Sequence, residues 1–100
     1  MYSINLSSIA SFFVRSFKYR DRITIMSDIL KSVSNSPMGK KKTQIMQSAN
    51  LNYTQANKYI KLLIINGFIV FTDMETYKIT SKGLHFLQTA EQHKIRTRII

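Results

Sequence analysis

The 100-residue chain has no cysteine, one proline, three glycines and only five acidic residues. Without cysteine it can form no disulfide, thiol nucleophile or Cys-ligated metal site, and redox usage gives no clue to its compartment. The five acids are scattered, and His85 and His93 stand eight residues apart on a polar stretch. No Gly-rich phosphate loop and no nucleophile–base pair is present. Two histidines without cysteine leave zinc short of its usual ligands, so neither a metal nor any other cofactor is expected, and an enzyme is not expected either. The longest apolar run, residues 62–71, is broken by Asn66 and Gly67. It falls well short of the roughly 18 residues that a spanning helix needs. The segment ahead of Arg15 lacks a basic start and a small-residue cleavage site, so a secretory signal is not expected.

What the chain does have is positive charge. Fifteen Lys and Arg residues against five acids give a net charge of +10, and a pI near 10.2. Such a balance calls for an anionic partner, with nucleic acid ahead of an acidic membrane surface or an acidic protein. The charge is also concentrated. No acid occurs between Asp28 and Asp73, a span that holds Lys31, Lys40, Lys41, Lys42, Lys58 and Lys61. With 44% apolar residues, the length suits one compact core and no deep cleft.

Hydrophobic spacing divides the chain. In residues 1–18, Leu6, Ile9, Ala10, Phe13 and Phe17 recur at three-four spacing and predict an amphipathic helix. Its apolar face needs a partner, and we expect Leu6, Ile9, Phe13 and Phe17 to pack with a last helix through Leu84 and Leu87. That contact could close within one chain or across the two-fold axis of a homodimer. A membrane-surface role is disfavoured, because residues 1–18 carry only two positive charges. From Asp21, the positions Ile23, Met26, Ile29, Leu30 and Val33 predict a helix that stops at "SNSPMG". A short helix over about residues 41–48 buries Ile45 and Met46. "ANLN" then turns the chain, with Asn50 suited to left-handed backbone and Leu51 to filling the corner.

Asn52 can cap the next helix, and Gln55 three residues on completes an N-x-x-Q capping box. At about 100° per residue, Ala56, Tyr59, Ile60, Leu63 and Ile64 share one face, and Thr54, Asn57, Lys58 and Lys61 the opposite one. "FIVF" and "YKIT" around "TDMET" predict a hairpin. "SKGLHFLQTAEQHKIR" predicts a final helix, although Gly83 weakens its first turn. The expected fold is mainly α with a small β-hairpin: a winged helix-turn-helix with an extra N-terminal helix and a C-terminal helix. Its divisions are an appendage over 1–18, the domain over 19–93 and a basic tail over 94–100.

A short helix, a tight turn and a capped helix with a polar cationic face form the helix-turn-helix pattern, whose second helix enters the major groove of duplex DNA. Thr54, Gln55, Asn57 and Lys58 on helix 53–66 are the candidates for base edges, with Tyr53 and Lys61 on the flanking sugar-phosphate. Lys40, Lys41, Lys42 and Thr43, at the start of the shorter helix, are placed to meet backbone phosphates. Asp73 and Glu75 at the hairpin tip argue for a wing that contributes little to binding. As a metal site, two acids in an exposed turn are a poor candidate.

"KTQIMQSANLNYTQANKYIKLLIINGFI", followed by "YKITSKGLHFL", resembles the archaeal winged helix-turn-helix family of small coiled-coil DNA-binding chromatin proteins and uncharacterised transcription regulators. The resemblance rests on Lys42, Thr43, Ile45, Met46, Ala49, Asn50, Leu51, Tyr53, Lys58, Tyr59, Leu63, Gly67 and Ile69, then on Tyr77, Thr80, Lys82, Gly83 and Leu87. It implies a winged-helix domain, DNA binding through the third core helix and dimerisation through the terminal helix. Two departures stand out. Gln44 occupies a place where the family carries a basic residue, and Glu91 and Lys94 break the terminal apolar seam before it reaches the roughly three heptads a coiled coil requires.

The combined reading is a DNA-binding transcription regulator with double-stranded DNA as partner, working in the cytoplasm at the nucleoid, with no membrane partner and no small-molecule ligand. Two alternatives remain open: a sequence-tolerant architectural protein of the nucleoid, and a protein-interaction winged helix in a transcription or replication complex.

Overall fold

The computed structural model describes residues 20–99, with side-chain surroundings through residue 92. The stripe formed by Leu6, Ile9, Phe13 and Phe17 therefore lies outside the described residues. The elements follow in the order α1 (Arg22–Ser34), α2 (Lys42–Ser48), α3 (Tyr53–Ile65), β1 (Ile69–Phe71), β2 (Tyr77–Ile79) and α4 (Ser81–Ile99). Among the described residues, four helices and one antiparallel hairpin, with Ile69 opposite Ile79 and Phe71 opposite Tyr77, make the expected mainly α fold.

Asp21 starts α1 by accepting from the Thr24 backbone N–H at 2.8 Å, which satisfies one of the donors a helix leaves open at its first turn. The end of the following loop demands glycine. Gly39 has φ +87°, and a β-carbon there would stand 2.6 Å from Thr76 Oγ1 and 2.8 Å from the Tyr77 carbonyl oxygen. The next residue is paired with the hairpin: Lys40 N donates to Tyr77 O at 3.0 Å and Tyr77 N donates to Lys40 O at 2.7 Å. This one-residue bridge fixes the loop after α1 to the wing.

The core is the space enclosed by α1, the two helices after it, the hairpin and α4. Ile29, Leu30 and Val33 of α1, Ile45 of α2 and Leu63 of α3 are fully buried, with Ile69 of β1 and Leu87 of α4 closing it. Two expected core positions are corrected. Ile23 is 50% exposed and Ile64 is 42% exposed, while Ile25 is buried instead. At 100° per residue, Ile23 and Ile64 each fall about 90° from the centre of the buried arc of their helix, at its margin. Met46, expected inside, is half-buried and packs against the core from its edge.

The start of α4 is tied to the base of the hairpin. Thr80 Oγ1 accepts from Gly83 N at 3.0 Å and donates to Gly67 O at 2.7 Å. Phe68 and Phe86 stack with ring centroids 4.7 Å apart. The helix continues through residues 94–99, the stretch expected as a basic tail. Leu84, expected to pack, is 42% exposed, whereas Leu87 is buried.

Candidate nucleic-acid interface

The corner between α2 and α3 is built from local signals. Asn50 adopts φ 55°, a left-handed conformation that asparagine tolerates better than most residues. It turns the chain so that Leu51, 7% exposed, enters the core. Asn52 Oδ1 accepts from Gln55 N at 2.8 Å, and Asn52 N donates back to Gln55 Oε1 at 3.1 Å. This is the reciprocal capping box, and it sets the amino end of α3 rigidly on the corner.

Arg20 holds the corner from outside. Its Nη1 donates to Asp28 Oδ2 and to the Ala49 carbonyl oxygen, both at 2.8 Å, and its Nη2 donates to the Asn50 carbonyl oxygen at 2.7 Å. A guanidinium suits this task because its planar fork can serve several acceptors at once. Sequence reasoning assigned Arg20 no role. Its partners lie 8, 29 and 30 residues away, so no local pattern announces them.

Of the residues expected to meet DNA, three are brought together across the two helices. Lys42 Nζ donates to Asn57 Oδ1 at 2.5 Å. The same ammonium lies 5.2 Å from the centroid of the Tyr53 ring, within cation–π range. Tyr53 is 62% exposed. Thr54, Lys58 and Lys61 are also exposed on α3, Gln55 and Asn57 are partly covered, and Lys41 and Thr43 are exposed at the start of α2. Lys40 stands apart from this group: its backbone is held by Tyr77, and its Nζ donates to Ser32 Oγ of α1 at 3.3 Å. Tyr59, which shares its sequence neighbourhood with these residues, is buried.

Gln44, the departure from the family's basic residue, has a task of its own. Its Oε1 accepts from Lys41 N at 3.0 Å, satisfying a donor at the start of α2. The wing is short, with three-residue strands, and its loop is closed by Thr72 N donating to Thr76 O at 2.8 Å. Among the described residues no group of three or more His, Cys, Asp or Glu could hold a metal ion. No described helix is long and apolar enough to cross a membrane.

Known proteins share this architecture. A winged helix-turn-helix family model matches residues 19–97. An uncharacterized protein of Methanocaldococcus jannaschii is 42% identical over 73 residues, and the chain spans 33% of that protein's length. Among solved structures, Sso10a-2, a DNA-binding protein from Sulfolobus solfataricus, superposes with a TM-score of 0.65 and 30% identity, covering 80% of this chain and 85% of the other. The multiple antibiotic-resistance repressor MarR from Listeria monocytogenes superposes with a TM-score of 0.61 over 97% of this chain and 78% of its own, at 17% identity. At that identity the likeness is one of fold.

Proposed function

The chain belongs to the winged helix-turn-helix family, and from that premise we propose that it binds double-stranded DNA as a transcription regulator, with α3 in the major groove. The observation that carries this reading is the make-up of the exposed face of α3. Thr54, Lys58 and Lys61 are exposed on it, in a stretch with no acid from residue 29 to residue 72. Phosphate repels acids and attracts lysine, and base edges are read by hydrogen-bonding side chains of this kind. Lys41 and Thr43 meet flanking phosphates from the start of α2, with Tyr53 beside them, while Lys42, bonded to Asn57 Oδ1, joins the base-reading side chains of α3. Lys40 contributes at longer range. The short acidic-tipped wing adds little. The Sulfolobus protein, described as DNA-binding, supports the same reading.

In this reading the protein is not an enzyme, works on the DNA of the cytoplasm and pairs as a homodimer through residues 1–18 and α4, where Leu84 is exposed beside the buried Leu87. The experiment is a fluorescence anisotropy titration of a mixed-sequence duplex at several salt concentrations, with a Lys58→Ala, Lys61→Ala double variant alongside. Binding should weaken steeply with salt, and the variant should lose affinity and lower the logarithmic salt slope by about 1, through the phosphate contact of Lys61. No binding by the wild type at low salt would refute the DNA reading and favour an acidic protein partner. Binding with equal affinity for all duplexes would favour an architectural protein over a regulator.

A further inference from the structure

The carboxamides at the amino ends of α2 and α3 share one property. Gln44 Oε1 accepts from Lys41 N at 3.0 Å, Asn52 Oδ1 from Gln55 N at 2.8 Å, Gln55 Oε1 from Asn52 N at 3.1 Å and Asn57 Oδ1 from Lys42 Nζ at 2.5 Å. In all four the oxygen is engaged inside the protein, and among the described residues the amino group is the end left without a partner. The charged groups nearby, Lys42, Lys58 and Lys61, can only donate.

We propose that this end of α3 presents hydrogen-bond donors and almost no acceptors, so that the DNA sites it selects carry guanine on the contacted strand. The inference rests on α3 lying in the major groove and adds what it reads there. In that groove guanine offers two acceptors, N7 and O6, while adenine offers one acceptor and one amino donor, thymine one acceptor and cytosine a donor. A surface of donors is matched twice by guanine and opposed by cytosine. The usual bidentate pairing of asparagine with adenine needs the carboxamide oxygen to accept from the adenine amino group. At Asn57 that oxygen already holds the Lys42 ammonium. Its second lone pair does not restore the contact, because the hydrogens of an adenine amino group carry partial positive charge and would be brought against a full cation. Guanine meets the same pair without conflict, with Asn57 Nδ2 and the remaining Lys42 N–H bonds directed at N7 and O6. Thr54 and the Tyr53 hydroxyl can still accept, but each can rotate to donate as well.

The test uses the full chain. It is first shown to bind a mixed-sequence duplex, and a randomised duplex pool is then selected at the same salt. Guanine should be enriched at one or more fixed positions. At such a position, 7-deazaguanine removes the N7 acceptor and keeps base pairing, and it should weaken binding roughly tenfold. Inosine keeps N7 and O6 and lacks only a minor-groove group, so it should bind like guanine. Lys42→Met frees Asn57 Oδ1 and should let adenine compete at that position. Enrichment of A·T pairs, no enrichment, or indifference to 7-deazaguanine would overturn the proposal and leave DNA binding standing. Failure to bind the mixed duplex at all would remove both.

Discussion

A β-carbon added to Gly83 would stand 2.1 Å from the carbonyl oxygen of Phe68 and 3.0 Å from Ile79 Cγ1. The first turn of α4 is thus seated directly on the backbone at the base of the hairpin, where only a residue without a side chain fits. Helix propensity alone favours alanine by about 1 kcal/mol. The clash outweighs it, because the obstructing atom belongs to a backbone whose oxygen also accepts from Thr80 N at 3.0 Å and cannot swing aside. Overpacking of this kind costs about 1–3 kcal/mol. Gly83→Ala should therefore lower the urea midpoint of the full chain, and an unchanged or higher midpoint would mean that α4 can shift off the hairpin freely.

Ser27 is 1% exposed on α1, and its Oγ has no hydrogen-bond partner among the described residues. Leaving such a hydroxyl buried and unpaired costs about 1–3 kcal/mol, and alanine is also the better helix former. Ser27→Ala is expected to stabilise the fold by about 1 kcal/mol. Ser32 gives the contrast. It is 6% exposed, but its hydroxyl bonds to Ser48 Oγ and receives Lys40 Nζ at 3.3 Å. Ser32→Ala should lose stability by about 1 kcal/mol, since it removes both of these bonds. Thermal unfolding of the two variants side by side checks both, and a shared sign would contradict the assignment.

Arg20 joins α1 to the corner that positions α3. Its side chain is 21% exposed and that of Asp28 is 31% exposed, so the ion pair is partly screened. The two bonds to the Ala49 and Asn50 carbonyl oxygens add geometry that a point charge cannot reproduce. Arg20→Ala should cost about 1–2 kcal/mol, and Arg20→Lys should recover only part of it. Equilibrium unfolding gives the comparison. Full recovery by lysine would reduce the role of Arg20 to charge alone.

How much of this was legible beforehand depends on how far apart the interacting residues lie. The capping box of Asn52 and Gln55, the left-handed Asn50 and the corner residue Leu51 are local, within one turn of chain, and periodicity and turn chemistry found them. The hairpin was legible because two β-favouring runs flank a short polar loop. Beyond that range the signals fail. The rung between Lys40 and Tyr77 is a single residue pair 37 positions apart, too short to leave an alternating pattern. The contact of Lys42 with Asn57 joins two helices across 15 positions, and each residue alone reads as an ordinary groove-facing side chain. Gly83 read as a weak spot in a helix because helix propensity sees only neighbours, and the Phe68 carbonyl that requires it arrives from another element. Ile23 and Ile64 were misplaced for a related reason: spacing gives the direction of an apolar stripe but not the width that the packed elements will cover.

Glu75 offers a separation of strain from charge at the tip of the wing. Its φ of 60° lies in the left-handed region, and its N–H donates to Thr72 O at 3.0 Å, which closes the loop. A side chain held there costs about 1 kcal/mol, which glycine avoids. Part of that gain is offset by the greater freedom of glycine in the unfolded chain. Glu75→Gly should raise stability by about 0.5 kcal/mol, whereas Asp73→Asn, which removes a charge without touching the backbone, should leave it unchanged. Both substitutions make the tip less negative. With α3 carrying the contact to DNA, each should change duplex affinity by less than about threefold, as a solvent-screened charge does. Chemical denaturation and anisotropy titration on the same two variants give independent readings. A tenfold gain in affinity common to both would place the wing tip against the phosphate backbone and end the view that it contributes little, even if the stability difference came out as expected.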